Sequence, residues 1–592
     1  MSDARTFYHQ QNVLFEKDLK RLTKKIRRMA WYRLVLFISL FLPFSFLGLS
    51  WLAGGLTLLL LVLFFYLIKI NIRFDRQRKK CAVLKQLTED ELLALDHSFL
   101  HFKNGAEFLD TNHFFSYDLD LFGDGSLYQF LNRTSSIGGA KKLAAWFLVP
   151  SKNKDEIEGR QAAVRELSQK RKWRLQFLAE GKLFEETGAE SREIIAWSET
   201  EFDLRNPKLT QWIIRIIPVV TLLAAIPAVW GISNTYLVFS VLVQWLTMFF
   251  YRKRIAYFFR FFGRKSQLLS KYMKLLEQIE QESFQSDYLK RLQKDCKNPS
   301  AGKTFRQLKK RVAEFEYRQN LLVGFALNSL LLWDIRCVFR LWRWHQENHR
   351  SLVKWIDTIA EMDALISMAN FADNHPGFEY PAINHEGFVF EALELGHPLI
   401  RQEKRICNDF ELSGWSKVMI VTGANMAGKS TFLRTVGVNL LLAQAGAPVC
   451  AKRMTVTPID LYTNMRTTDS LLKDESYFFA ELKRIKGVLD RLQAGDRIFV
   501  ILDEMLKGTN SVDKLNGSKE LIRKLVQYQS VSLIATHDLK LSEMQNDFPE
   551  QVFNTCFEIR IENDELVFDY KLSDGVTKTM NATFLMKKMG II

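Results

Sequence analysis

Residues 423–430, Gly-Ala-Asn-Met-Ala-Gly-Lys-Ser, constrain the fold of this chain more than any other stretch. They fit the spacing G-x-x-x-x-G-K-[ST]. The apolar run Val418-Met-Ile-Val421 leads in, and the helix-like Phe432-Leu-Arg-Thr-Val-Gly-Val-Asn-Leu-Leu-Leu442 leads out. A buried strand, a glycine loop and a helix in that order form a phosphate-binding loop. The glycines let the backbone curl until successive N–H groups and the helix N-terminus converge on an anion. Lys429 would then reach the β- and γ-phosphates, and the Ser430 hydroxyl would bind Mg2+.

The partners of such a loop follow in order. Arg497-Ile-Phe-Val-Ile-Leu-Asp-Glu504 is an apolar run ending in two acids, the form of a buried parallel strand with carboxylates at its C-terminal edge. Asp503 is read as a holder of the Mg2+ shell and Glu504 as the group that polarises the attacking water. A further strand, Val531-Ser-Leu-Ile-Ala-Thr-His537, ends in a histidine placed to bond the γ-phosphate or that water. A nucleoside triphosphate and Mg2+ are therefore the expected ligands, read as ATP with Mg2+ once the resemblance below is added, with Lys429, Glu504 and His537 as catalytic residues.

Three strings together resemble the MutS family: Thr-Gly-Ala-Asn-Met-Ala-Gly-Lys-Ser-Thr (422–431), Leu-Asp-Glu-Met-Leu-Lys-Gly-Thr-Asn-Ser (502–511) and Ala-Thr-His (535–537). The Asn-Met pair inside the loop is the specific part. The resemblance implies nucleotide contacts from Gly423, Ala424, Asn425, Met426, Ala427, Gly428, Lys429, Ser430 and Thr431, with Ser430 and Asp503 on Mg2+. It makes His397-Pro the entry to the domain and lays Asn408 along the nucleotide. It places Ser476 where a serine of one subunit contacts the γ-phosphate held by the other, so a homodimer through the ATPase heads is implied. The family's Gly and Arg near that serine are Asp474 and Glu475 here. Val567-Phe-Asp-Tyr-Lys-Leu-Ser-Asp-Gly575 resembles the segment carrying a ring that stacks on adenine, which singles out Tyr570.

Upstream, Leu127 to Pro150, with Asn-Arg-Thr at 132–134 and Gly139, Leu143 and Trp146 beyond, is similar to the opening of the MutS lever domain. Arg160-Gln-Ala-Ala-Val164 continues it, and residues 355–370 resemble the long lever helix that returns to the ATPase.

Two uncharged runs interrupt this plan, 35 residues at 34–68 and 36 at 216–251. A spanning helix needs about 20 apolar residues, so each run reads as two spans joined by a turn, near 48–51 and 231–235. Lys and Arg flank both runs, and the turns carry none. The positive-inside rule then puts both termini in the cytoplasm, in an inner (cytoplasmic) membrane with four spans facing lipid. The shorter apolar run at 321–333 is read as a core helix.

The formal charge of +16 is accounted for mainly by bases beside these runs, where anionic lipid explains them, so it argues little for DNA. Six scattered cysteines form no C-x-x-C pair, which indicates neither zinc nor a disulfide framework.

The expected architecture is an α/β P-loop ATPase domain of the ABC/MutS type with a parallel-rich sheet, joined to an all-α lever domain with two transmembrane helical hairpins. The expected divisions are a basic segment 1–30, hairpins 31–71 and 211–252, lever parts 72–210 and 253–375, and an ATPase domain 376–592. This layout leaves no room before residue 127 for mismatch-reading and connector domains. The expected function is a membrane-anchored MutS-family ATPase whose levers carry the nucleotide-driven motion, with DNA compatible as a partner but not required. A tethered mismatch-repair protein and an ABC-type transporter are the alternatives. Against the transporter, the runs hold no charge and no L-S-G-G-Q string occurs.

Overall fold

The computed structural model describes residues 3–200, 204, 206–262, 265–424, 426–466, 477–506, 508–562 and 565–578. The first helices form a long antiparallel stalk: α1 (Asp3–Ser39), the short α2 (Leu42–Leu47) and α3 (Trp51–Leu95). At 45 residues, α3 is roughly 65 Å long, about twice the hydrocarbon thickness of a bilayer. The expected divisions at 30 and 71 thus fall inside continuous helices, because the helical pattern does not break where the apolar run begins or ends. The turn lies at 48–50, where Gly48 takes φ +56° and the Ser50 hydroxyl caps α3 by accepting from Ala53 N.

The stalk base is fastened to a helical body. That body comprises α4 (Leu127–Leu131), α5 (Ile137–Leu148), α6 (Lys154–Gln169), α7 (Arg171–Lys182) and α8 (Gly188–Glu199), then α9 (Pro207–Val229) and α10 (Thr235–Phe262). It continues through α11 (Ser266–Gln281), α12 (Asp287–Lys297), α13 (Ala301–Glu316), α14 (Leu321–Leu331) and the 42-residue α15 (Trp333–Asn374). Glu91 of α3 and Arg133 form a fully buried ion pair at 2.8 Å, and Asn374 at the end of α15 donates to the same carboxylate at 2.7 Å. Asp363 of α15, also fully buried, accepts from the Ser135 and Ser136 amides and hydroxyls and so fixes the start of α5. A Cβ on Gly139 would fall 2.3 Å from Asp363 Oδ2, so α5 crosses α15 there only with glycine.

Among the described residues, three helices are by length and composition long and apolar enough to cross a membrane: α1 with α2, α3, and α9. The count reaches four if α14 and α15, bent by 81° at a short break, are taken as one span. The expected fourth span, α10, carries Gln244 and runs into Arg252-Lys-Arg254, which makes it the less apolar arm of its pair. Gln244 is buried and donates to Thr221 of α9 at 2.6 Å, while its carbonyl oxygen accepts from Leu332 N at the α14–α15 corner. The core-helix reading of 321–333 is corrected. Leu321 and Leu322 are 82% and 80% exposed and Phe325 is exposed, because an 11-residue helix backed by α9 and α10 has no cover on its outer side.

The C-terminal part is α/β. Strands β1 (Ala382–Ile383), β2 (Val389–Leu395), β3 (Asn408–Ser413) and β5 (Arg453–Val456) form a mostly antiparallel sheet in the order β1-β5-β2-β3. Strands β4 (Lys417–Gly423), β6 (Asp460–Asn464), β7 (Ile498–Asp503), β8 (Val531–Thr536), β9 (Val552–Glu562) and β10 (Glu565–Asp574) form the main sheet, ordered β10-β9-β4-β8-β7-β6. Only β10 runs antiparallel. Strands β4, β7 and β8 are buried on both faces, as their unbroken Val/Ile/Leu runs demand. Helix α16 (Lys429–Ala445) is likewise buried almost all round, and α17 (Tyr477–Gln493) and α18 (Ser511–Gln527) complete the layers.

Candidate functional site

The loop between β4 and α16 needs glycine at both ends. Gly423 has φ +154°, and a Cβ there would lie 3.0 Å from the Phe557 carbonyl oxygen. Gly428, at φ +104°, precedes the first turn of α16, and a Cβ would press on the Tyr570 ring at 3.0 Å. Between them Met426 takes φ +69° and leaves its side chain 78% exposed. Lys429 is buried and folds back over the loop, donating to the carbonyls of Gly423 at 2.7 Å and Ala424 at 2.9 Å. Burial pushes its ammonium below the ordinary lysine value, against the opposing pull of Glu504 and Asp503.

A cavity of about 420 Å³ opens over this loop, lined by Met426, Lys429, Ser430, Thr431, Glu504 and Tyr570, with Asn408 and His397 on its walls. Ala424 and Gly428 line it as well, while Gly423 and Ala427 are not among the lining residues. Asp503 ends β7 opposite Ala535 of β8, and the Glu504 amide donates to the Ala535 carbonyl at 3.0 Å. Glu504 then turns at φ +56°, which brings its Oε1 to 3.3 Å from His537 Nδ1. The strand edges thus gather the acid pair and the histidine into one corner. Asn425 and Ser476, with Lys473, Asp474 and Glu475, lie outside the described residues.

Asn408, besides lining the cavity, holds a neighbouring strand in place. It is buried, donates to the Tyr570 carbonyl at 3.0 Å and accepts from Leu572 N at 2.8 Å. Those bonds clasp a bulge in β10. Phe568 pairs with Ile559 and Leu572 with Phe557, so 569–571 stand against the single residue 558. Tyr570, at its centre, has φ +53° and lies parallel to Phe568 at 5.8 Å. Near the cavity Arg405 donates to the Ile400 carbonyl at 2.6 Å, whereas Ile406 lines the cavity itself.

Sequence reasoning missed two groups. Glu481 is buried, and its Oε1 accepts from Leu506 N at 2.7 Å and Asn464 Nδ2 at 3.3 Å, so it pins the turn after Glu504. The available signal was an acid on the apolar stripe Phe478, Ile485, Val488, Leu492. Asp118, fully buried, accepts from Thr463 Oγ1 at 2.6 Å and Arg466 N at 2.9 Å, and Asp120 holds the Arg466 guanidinium at 2.5 and 3.0 Å. No local pattern marks that pair.

Among the described residues no cluster of three or more His, Cys, Asp or Glu side chains could hold a metal by itself. Mg2+ needs less of the protein, since it keeps waters and takes substrate phosphate oxygens with one or two hard protein donors. The Ser430 hydroxyl and the Asp503 carboxylate are donors of that kind.

Comparison with known proteins agrees with this geometry. The family model described as MutS domain V matches residues 419–587, and that described as MutS domain III matches 111–188. The chain is 30% identical over 260 residues to a DNA mismatch repair protein MutS of Finegoldia magna, covering 43% of this chain and 29% of that protein. It is 31% identical over 242 residues to the DNA mismatch repair protein MSH3 of Phaeosphaeria nodorum, covering 39% of this chain and 21% of the relative. A MutS of a Thermotoga species is 30% identical over 250 residues, 40% of this chain and 30% of its own length. The chain thus spans less than a third of each of these relatives.

Proposed function

Because the chain belongs to the MutS family, we propose that it is a membrane-anchored ATPase of that family, whose helical levers couple nucleotide turnover at paired heads to the stalk and second hairpin. The observation that carries the reading is the cavity lined by Lys429, Glu504 and Tyr570, with His537 against the Glu504 carboxylate. ATP enters with its phosphates at the loop, where Lys429 exchanges carbonyl partners for phosphate charge. Mg2+ held by Ser430 and Asp503 would supply charge neutralisation for phosphoryl transfer. Glu504 takes the proton of the attacking water, and His537 orients that carboxylate through Nδ1. Asn425 and Thr431 complete the loop contacts, and Ser476 acts across a homodimer.

Membrane anchoring is supported by the helix pairs that leave the body with apolar surfaces outward. Leu49 and Trp51 at the stalk tip are fully exposed, and Val229 and Trp230 at the second tip are 83% and 77% exposed. Apolar patches of that extent call for lipid or a partner. A second reading, a mismatch-repair protein held at a membrane, rests on the similarity to DNA mismatch repair proteins and on the match to domain III.

The test is ATP hydrolysis by the full chain in liposomes, alone and with plain or mismatched duplex. Hydrolysis abolished by Glu504→Gln and indifferent to duplex supports the first reading. Stimulation by mismatched over plain duplex moves the conclusion to the second. No hydrolysis in any arm overturns both.

A further inference from the structure

At the foot of the second hairpin, among α9, α13 and α15, lies a cavity of about 780 Å³. Six cations line it: Arg215 from α9, Lys310 and Arg311 from α13, and Arg336, Arg340 and Arg343 from α15. Only two carboxylates share it. Glu314 takes Arg340 at 2.9 Å and Glu347 takes Arg343 at 3.0 Å, so two charges cancel in place. Arg311 donates to the Arg340 carbonyl at 2.9 Å and Arg336 to the Ile214 carbonyl at 3.1 Å. Among the described residues, neither of these nor Arg215 or Lys310 has a carboxylate at ion-pair distance.

Four cations without a carboxylate at ion-pair distance repel one another around this hollow, most strongly at the half-buried Arg311 and Arg336. Burial presses the Arg311 guanidinium below its ordinary value. Arg340 and Arg343 press the same way, against Glu347. A guanidinium fork matches the oxygens of a phosphate. The cavity also adjoins apolar surface. Ile214 and Arg215 line it, and Ile216, Val219, Val220 and Leu223, next along α9, are exposed.

Building on the membrane reading above, we propose that this cavity binds the headgroup of an anionic phospholipid, the phosphate set among Arg215, Lys310, Arg311 and Arg336 and the acyl chains along the exposed face of α9. Duplex DNA shares the phosphate chemistry, but the apolar turn of α9 beside the cations favours lipid.

The experiment uses the full chain in neutral detergent, titrated with fluorescent phosphatidylglycerol and phosphatidylcholine. Competition arms contain inorganic phosphate, glycerol phosphate or a duplex oligonucleotide. Each cation near a lipid phosphate is worth about fivefold in affinity. Four such cations make phosphatidylglycerol bind about six hundredfold tighter than phosphatidylcholine. Arg215→Gln with Lys310→Gln should cut that preference about twenty-five-fold, while Lys24→Gln with Lys25→Gln should leave it intact. Should the first pair fail to fold, the exposed single change Lys310→Gln should cost about fivefold. Equal binding of both lipids by the wild type, or an equal loss from the control pair, overturns the proposal. Displacement by free phosphate as strong as by lipid reassigns the site to a soluble anion, and tighter binding of duplex reassigns it to nucleic acid; both overturn it. Extraction from membranes by alkaline carbonate is scored separately, because its success refutes the membrane reading whatever the titrations give.

Discussion

Asn408→Ala is the sharpest test of the nucleotide site, because sequence and structure give that residue different work. Lying along the nucleotide, Asn408 would contribute its own contact. Clasping the bulge, it acts through Tyr570. The two bonds it makes to the Tyr570 carbonyl and the Leu572 amide contribute about 1 kcal/mol each. A tyrosine held in the left-handed region, as Tyr570 is at φ +53°, costs about 1–2 kcal/mol. The clasp and the strain are of similar size, so removing the clasp releases the ring in most molecules. The ring then no longer covers the base, a stack worth about 1–3 kcal/mol, or about 5- to 150-fold in Kd.

The assay is calorimetric titration of a non-hydrolysable ATP analogue into the full chain, with Asn408→Ala, Tyr570→Ala and the double variant side by side. Each single change should weaken binding. The double variant should be no weaker than Tyr570→Ala within about 0.5 kcal/mol, since both act on one ring. Full additivity would show that Asn408 meets the nucleotide independently, and the positioning role would be refuted.

Lys429→Ala should abolish nucleotide binding, whereas Glu504→Gln should retain binding and lose turnover by at least about a hundredfold; equal ATP affinity in wild type and Lys429→Ala would sink the site assignment. Burial, reinforced in His397 by Arg434 and Arg405, lowers the pKa of His397 to about 4, and burial does the same for His375 against the Phe371 carbonyl. The unfolded chain binds more protons than the folded one between about 4 and about 6.5, so stability should fall as pH drops through that window, by roughly 1–2 kcal/mol per histidine. Urea midpoints at pH 7 and 4.5 should converge in His375→Asn and His397→Asn, and an unchanged slope counts against buried neutral rings. A cysteine at Asn234 should be labelled from outside intact cells by an impermeant reagent and one at Lys514 should not; labelling at Lys514 alone would invert the topology.

The legible parts of the site are those whose chemistry is written in adjacent residues. The loop at 423–430 and the acids at 503–504 announce themselves by spacing, and β7 and β8 place Glu504 and His537 together because parallel neighbours align their C-terminal ends. The illegible parts depend on contacts made across the chain. Arg484 reaches Asp118 over 366 positions, and no window around either residue holds that information. Asn408 lines the cavity as its position in the sequence suggests, but its hold on the bulge is not legible there, since that bulge belongs to a strand 162 positions away. The apolar run at 321–333 misled for a third reason: composition reports that a surface shuns water, not whether protein or lipid covers it.

On the proposed reading, the buried polar contacts would give motion at the head a route to the stalk. Arg466 is the last described residue before 467–476, the stretch that carries Ser476, and it is fixed through its amide and its guanidinium to Asp118 and Asp120. A few residues on, α4 leads to Arg133, bonded to Glu91 at the stalk base, and the Arg133 amide donates to Ser367 of α15 at 2.6 Å. Separating a buried ion pair such as Glu91–Arg133 leaves a charge uncompensated, at a cost of about 3–5 kcal/mol. A solvated hinge at that point would absorb a displacement for almost nothing. A joint this expensive to shear would pass a displacement on, and α3 and α15, helices of 45 and 42 residues, would carry it along their length.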